Sequence, residues 1–292
     1  MSSVIPYHLR AAQRRESKFL LADKPMESGH YNTETFFGAH ASCIGSNHFF
    51  AEPPWPLQDS AFIGVAENLG FIAVADGVSG TSHTSKKSRQ LVRESADIAI
   101  RTAWTQVKSW ADSSGFNIWN TLAWSVMVHT ILAKVDHAMR AHAHTARKIT
   151  GEDLYPASTL VFGVFIPTLR GVSCYWLTVG DSAFGLISAE GIQWLTRHDA
   201  TYEGRSSSFT NALPGVHSHA EYGIIKLASG QVCFACTDGA ARILHVNEKH
   251  LAATRTPDIA DGSLLKKYLL RLVEDCAAQT GDDASVAALV MR

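Results

Sequence analysis

Residues 71–80 read Phe71-Ile72-Ala73-Val74-Ala75-Asp76-Gly77-Val78-Ser79-Gly80. Five small or apolar residues, two of them β-branched, run straight into an Asp-Gly. The pattern predicts a buried strand that ends in a tight turn with one carboxylate at its tip. A carboxylate at the mouth of a buried strand can be held rigidly, as a catalytic metal ligand must be. The device returns at Gln231-Val232-Cys233-Phe234-Ala235-Cys236-Thr237, which runs into Asp238-Gly239. Leu177-Thr178-Val179-Gly180-Asp181-Ser182 and Gly281-Asp282-Asp283-Ala284-Ser285-Val286 add two more carboxylates at strand edges. Four such groups, far apart in sequence, predict one site built from many strands.

Working outward, Ala61–Val65 and Phe71–Ala75 flank Glu67-Asn68-Leu69-Gly70 and read as a hairpin. Antiparallel pairing would bring Asp59, before one strand, beside Asp76, after its partner. Two helices should follow. Val92, Ala96, Ala99, Ala103 and Val107 recur at three- and four-residue spacing, as do Trp124, Val128, Ile131, Val135 and Met139. Thr84 or Ser85 would cap the first of them, and Thr150-Gly151 would end the second. From Pro156 the period becomes strand-like, with apolar runs at 158–166, 172–179, 184–188 and 192–195 separated by short spacers. Short spacers favour antiparallel neighbours. Thr201–His219 reads as an exposed loop, 222–227 and 231–237 as a further hairpin, and 286–290 as the closing strand. Ser263 should cap a last helix carrying Leu265, Leu269, Leu272 and Cys276 on one face. Strands, two helices, many strands, helix, strand is an α+β order with antiparallel sheets covered by helices. Residues 1–35 are polar and resist placement, so the expected division is an extension over 1–35 and one domain over 36–292.

The 292 residues are 46% hydrophobic, enough for a large core. A net charge of -1 offers no basic field for nucleic acid or an anionic membrane. No apolar run reaches the roughly 18–20 residues that span a bilayer. The start lacks a secretory apolar core. Arg10, Arg14 and Arg15 leave an organelle transit peptide open beside an ordinary polar tail. Five cysteines without scaffold density point to a reducing cytoplasm. Cys233 and Cys236 form a CxxC. Positions three apart in a strand face opposite ways, so these thiols should diverge into core packing.

Hard divalent cations such as Mg2+ and Mn2+ choose oxygen ligands. Two of them about 3.5–4 Å apart can share a bridging carboxylate and a water that turns nucleophilic near neutral pH. Asp76, Asp238 and Asp282 suit such a ligand set, and the Gly77 carbonyl could join it.

The ordered motifs resemble the metal-dependent protein phosphatases, the type 2C serine/threonine phosphatases. Gln58-Asp59-Ser60-Ala61-Phe62 resembles the family's first acidic motif. Val74-Ala75-Asp76-Gly77-Val78-Ser79-Gly80 resembles its Asp-Gly-x-Gly-Gly. Ala157-Ser158-Thr159-Leu160, Val179-Gly180-Asp181-Ser182, Trp194-Leu195-Thr196, Cys236-Thr237-Asp238-Gly239 and Asp282-Asp283-Ala284-Ser285-Val286 match later elements in the right order. The resemblance spans roughly 36–291. It implies a four-layer α-β-β-α sandwich, two antiparallel β-sheets flanked by helices. It implies two Mn2+ or Mg2+ ions, with Asp76 bridging them, Gly77 giving a carbonyl, and Asp238 and Asp282 on the second ion. Asp59 would hold metal-bound water, and Asp181 would serve an optional third ion. By the same resemblance, Asp59 and Asp76 are the catalytic pair. The implied activity is hydrolysis of phosphoserine and phosphothreonine in a phosphoprotein, the target of a serine/threonine kinase, by a monomeric cytoplasmic enzyme of signal transduction.

Several positions depart from the pattern. The family often has a phosphate-binding Arg four or five residues before the first Asp, where this chain has Pro54 and Trp55. Gln58 replaces a frequent Glu. Val78 stands where eukaryotic members often carry a His as general acid. His48, His83 and His198 lie near motifs and read as solvated loop histidines. The loop after Thr196 is short for the usual flap. These departures leave a second expectation open, a pseudophosphatase acting as a binding module. A serine hydrolase is disfavoured, because Ala183 follows Gly180-Asp181-Ser182 where a chymotrypsin-like motif needs Gly.

Overall fold

A computed structural model describes residues 26–51, 55–66, 69–78, 86–114, 120–150, 157–168, 171–188, 190–196, 212–215, 220–246 and 261–292. The order begins with strands β1 (Met26–Asn32) and β2 (Phe36–Cys43), a short helix α1 (Ser46–Phe49), and strands β3 (Ser60–Ala66), β4 (Leu69–Ala75) and β5 (Gly77–Val78). Helices α2 (Lys86–Ser114) and α3 (Thr121–Thr150) follow. Strands β6 (Ala157–Ser158), β7 (Leu160–Thr168), β8 (Gly171–Val179), β9 (Ala183–Ser188), β10 (Gly191–Trp194), β11 (Glu221–Leu227) and β12 (Val232–Cys236) come next. Helices α4 (Asp238–Val246) and α5 (Gly262–Thr280) and strand β13 (Ala284–Met291) complete the chain.

One sheet has the order β1-β2-β13-β12-β9-β10 and the other β11-β8-β7-β4-β3, while β5 and β6 form a small ribbon. Every pairing is antiparallel. Strand β4 shows why its sequence lacks polar alternation. Leu69, Phe71, Ala73 and Ala75 face α2 and α3, and Ile72 and Val74 face the other sheet. Both faces are dry, so both must be apolar. Strand β12 does the same, with Val232, Phe234 and Cys236 towards α4 and α5 and Cys233 and Ala235 between the sheets. Three apolar layers thus separate four structural ones, the α-β-β-α sandwich. Phe36, Phe165 and Phe184 fill the space between the sheets. Each such ring contributes roughly 2–3 kcal/mol by leaving water.

The helix stripes read from sequence face these layers. Ala96, Ala99, Ala103 and Val107 of α2 and Trp124, Val128, Ile131, Val135 and Met139 of α3 share one core. Leu265, Leu269 and Cys276 of α5 lie in another, with Leu272 at its margin. All five cysteines are free and buried, and Cys233 and Cys236 enter different layers.

Three local readings change. The cap of α5 is Asp261, whose Oδ1 accepts from Ser263 N (2.7 Å) and Leu264 N (3.0 Å), and Ser263 lies inside the helix. An acidic cap two residues upstream competes better for those N–H groups than a hydroxyl already in the turn. Strand β1, among residues the sequence left unplaced, extends the sheet by pairing Met26–Asn32 with 37–43. It carries mostly exposed side chains on a sheet edge, so no apolar period marks it. Helix α4 follows β12 directly, where the sequence suggested only a turn. Thr84, Ser85, Gly151, His83, His198 and most of 201–219 lie outside the described residues.

Candidate functional site

Pairing of Ser60 with Ala75 at the open end of the β3–β4 hairpin sets Asp59 across from Asp76. The other carboxylates arrive from the ends of neighbouring strands. Asp181 follows β8 after Gly180, whose φ of 99° is a left-handed turn conformation suited to glycine. Asp238 opens α4 and Asp282 precedes β13. The charges of Asp59, Asp238, Asp181 and Asp282 all bear on Asp76. Asp59, Asp76, Asp181, Asp238 and Asp282 thus lie within electrostatic reach at one end of the sandwich, and Gly77 follows Asp76 at the start of β5.

Hydrogen bonds hold the cluster in place. Asp76 N donates to Thr159 Oγ1 (2.9 Å), and the Asp76 carbonyl accepts from Thr159 N and Ser158 Oγ (both 2.9 Å). Thr159 Oγ1 also meets Ser182 Oγ at 2.7 Å, which ties the Asp76 turn to the Asp181 turn. Thr237 Oγ1 donates to Asp59 Oδ2 (2.6 Å) and accepts from Ser285 N (3.0 Å). One threonine therefore joins the ends of β12 and β13 to the first carboxylate. From α2, Arg93 donates to the Asp59 carbonyl and to Glu27 Oε2.

Electrostatics follow from this crowding. Burial, then the charges of Asp59, Asp238, Asp181 and Asp282, push the Asp76 carboxyl well above the usual carboxylate range. Asp59, 1% exposed, is pushed up by burial and then by Asp283, and the Thr237 hydroxyl only partly opposes this. Burial with Asp181 and Asp282 raises Asp238 to about 7, although Arg242 pairs with it and pulls the other way. Repulsion and desolvation win at all three sites.

Asp283, read from sequence only as part of the closing motif, is the interior organiser. It is 3% exposed. Its Oδ1 accepts from Gly45 N (2.8 Å) and stands 2.9 Å from His48 Nδ1, and its Oδ2 accepts from Gln58 N (2.7 Å). Its neighbour Asp282 marked the motif, but nothing in an Asp-Asp pair says which side chain turns inward. His48 is consequently no solvated loop histidine. Burial lowers its pKa, yet the hydrogen bond and charge of Asp283 more than offset that and raise it. Its ring stacks on Trp55 at 4.6 Å between centroids, and Arg89 of α2 lies 4.1 Å from the Trp55 ring centroid.

The donor set is oxygen throughout, and crowding and burial hold the pKa values of Asp59, Asp76 and Asp238 above the usual carboxylate range. That chemistry fits hard divalent ions. Among the described residues, no group of three or more His, Cys, Asp or Glu side chains stands in a metal-holding arrangement. Asp238 accepts from Arg242, and Asp59 accepts from Thr237.

Solved structures share the fold. The catalytic domain of the serine/threonine phosphatase PstP, in complex with two manganese ions, is 20% identical over 88% of this chain and 98% of that one, with a TM-score of 0.54. The Mycobacterium tuberculosis PstP/Ppp phosphatase is 17% identical over 88% and 99%, with a TM-score of 0.57. The S. agalactiae serine/threonine phosphatase is 13% identical over 92% and 100%, with a TM-score of 0.59. No curated protein sequence matches the chain. The protein phosphatase 2C family model matches residues 52–273, most of the chain and four of the five clustered carboxylates, and the chain belongs to that family.

Proposed function

We propose that this protein is a Mn2+- or Mg2+-dependent protein serine/threonine phosphatase that hydrolyses phosphoserine and phosphothreonine in a phosphoprotein. The observation that carries the reading is the crowding of Asp59, Asp76, Asp181, Asp238 and Asp282 at one end of the sandwich, where burial and neighbouring charge raise the pKa values of Asp59, Asp76 and Asp238. Buried carboxylates that repel one another are costly unless cations join them. Asp76, the Gly77 carbonyl, Asp238 and Asp282 would hold two ions, with Asp181 open to a third. Bound there, such ions lower the pKa of water and neutralise phosphoryl charge. The chain itself supplies rigidity. Thr159 fixes the backbone of Asp76, and Thr237 and Arg93 fix the side chain and backbone of Asp59. Asp59, so held, would accept a hydrogen bond from the attacking water and orient it. The proposal includes a cytoplasmic monomer acting against a serine/threonine kinase.

The test is hydrolysis of para-nitrophenyl phosphate and of a phosphothreonine peptide, in Mn2+ or in EDTA. Turnover should require the metal. Asp76→Asn and Asp238→Asn should each lower kcat/KM by about 100-fold or more, on the scale of losing a ligand that stabilises transition-state charge. Turnover that persists in EDTA, or in both variants, would exclude the two-metal reading. A folded wild type that neither binds Mn2+ nor turns over would be the binding module instead.

A further inference from the structure

We infer that the C-terminal turns of α3 form a basic docking ridge for a protein substrate, selecting segments with acidic residues several positions from the phosphoserine or phosphothreonine. The inference rests on the phosphatase reading and names the class of sequence that its substrate carries.

The ridge begins in the sequence. Residues 137–151 contain no Asp or Glu, but they include His137, Arg140, His142, His144, Arg147 and Lys148. At about 3.6 residues per turn, all of these except His142 fall within one sector of about 100°. His137, Arg140, His144, Arg147 and Lys148 are exposed. Val135, Met139 and Ala146 take the opposite side and are buried. His142 leaves the stripe, with its Nε2 3.4 Å from the Leu91 carbonyl of α2. From residue 137 to residue 148 the helix rises roughly 16 Å. An extended peptide rises about 3.3 Å per residue, so the ridge matches about five residues of it.

Hydrogen bonds place the ridge beside the candidate site. Asp136 Oδ1, at the border of the stripe, accepts from Gly215 N (3.0 Å). Two residues earlier, Leu213 exchanges backbone hydrogen bonds with Ser158 (both 2.8 Å), and the Ser158 hydroxyl donates to the Asp76 carbonyl (2.9 Å). Further along α3, Ala146 packs on Leu91 of α2. The next residue, Val92, presses on Gly77, where an added Cβ would come within 2.7 Å of Val92 Cγ1. The turns from Asp136 to Ala146 therefore border the carboxylate end of the sandwich, and their outer face is the basic one.

The chemistry suits an acidic peptide. Two arginines and a lysine give the stripe positive charge at neutral pH, and the histidines add hydrogen-bonding nitrogens. Arg140 pairs with Asp136 at 2.6 Å, but its side chain is 63% exposed, and such a pair holds a cation only weakly against a competing carboxylate. The whole chain has a net charge of -1, so the positive field is local. A short acidic segment fits a local field better than nucleic acid or an anionic bilayer does. Complementing the helix dipole explains Arg147 and Lys148, which lie in the last turn. It does not explain His137, Arg140 and His144, which precede that turn.

The experiment uses the full chain loaded with Mn2+ and two phosphothreonine peptides of one length. One carries Asp and Glu about five residues from the phosphothreonine, and the other carries Ser and Ala there. Wild type should favour the acidic peptide about tenfold in kcat/KM at low salt, mainly through KM, and the preference should shrink as salt rises from about 50 to 300 mM. The double variant His144→Glu/Lys148→Glu should abolish the preference, read as the ratio of the two kcat/KM values. His144→Gln/Lys148→Gln, which removes side-chain charge without reversing it, should lower the ratio part of the way and guards against misfolding of the first variant. Equal kcat/KM for the two peptides in wild type, or a ratio that both variants keep, would overturn the ridge and leave the phosphatase reading standing. If neither peptide turns over, fluorescence anisotropy of the labelled acidic peptide decides. Salt-sensitive binding that the double variant loses would keep the ridge and sink the enzyme reading, and no binding would sink both. Variant-sensitive binding to phosphatidylserine vesicles, with no discrimination between the peptides, would overturn the proposal in favour of a membrane surface.

Discussion

Single residues at the base of this site do more than its ligands. Asp283 accepts from two backbone N–H groups and pairs with His48. Removing one partner of a buried hydrogen bond leaves the other unsatisfied at about 1–3 kcal/mol per group. Asp283→Ala should therefore lower stability by about 3–5 kcal/mol, read as a shifted urea midpoint with an unchanged m-value. It should also release the segment before Asp59 and weaken Mn2+ binding. Asp283→Asn keeps one acceptor oxygen and should lose less than half as much. Equal stability of both variants with wild type would show that the three contacts are not what holds Gly45, Gln58 and His48. Sequence reading singled out residue 282 and not 283. Adjacent carboxylates look alike until the backbone decides which one turns inward.

At the scale of elements, the ligands are placed by turns that press backbone on backbone. A Cβ at Gly239 would lie 2.0 Å from the Asp283 carbonyl oxygen, and one at Gly45 would lie 2.3 Å from the Asp282 carbonyl carbon. The start of α4 and the start of α1 thus grip the 282–283 turn from two sides, and neither neighbour is a flexible side chain that could yield. Gly239→Ala must move Asp238 or Asp282. The expected outcome is a loss of Mn2+ affinity of at least tenfold and about 2–4 kcal/mol of stability, a large effect of the strained-backbone kind. Gly230→Ala is the control, since a Cβ there meets nothing within 4 Å and only its φ of 80° is strained. Metal titration of the two variants by calorimetry should separate them, and matching affinities would refute the backbone grip. The Asp-Gly at 238–239 was visible in sequence as a turn. That a helix begins on it was not, because Ala240, Ala241 and Leu244 are too few to show a period against the core they join.

The whole molecule carries the carboxylate repulsion as a pH dependence. Asp59, Asp76 and Asp238 have raised folded pKa values, Asp238 to about 7 against an ordinary aspartate value of 3.8. Between those limits the folded state binds more protons than the unfolded chain, so stability falls as pH rises. His48, raised as well, loses stabilising charge in the same direction above its unfolded value. His40, lowered to about 4 by burial, opposes this only below 6.5. Above pH 6.5 the signs agree. The metal-free protein should lose Tm between pH 6.5 and 8. Mn2+ should raise Tm more at pH 8 than at 6.5, because ligands must shed protons to bind it. Thermal melts at both pH values, with EDTA or Mn2+, read this directly. A flat metal-free profile, or an equal Mn2+ shift at both pH values, would contradict it.

By itself the sequence determined the layers and the strand ends at which the carboxylates sit. Unbroken apolar runs mark strands such as β4 and β12 because they are buried on both faces, and period-3.6 stripes mark α2 and α3 because each buries one face. Asp-Gly at the end of a dry strand is legible because it puts a charge and a turn where burial stops. Tertiary structure alone decided what carries no local pattern. It placed β1, an exposed edge strand paired only through its backbone. It chose Asp261 as the cap of α5 and turned Asp283 inward to His48. It also brought Arg89 onto Trp55, thirty-four residues away along the chain. Contacts of that kind depend on where elements cross. No spacing along the chain encodes them.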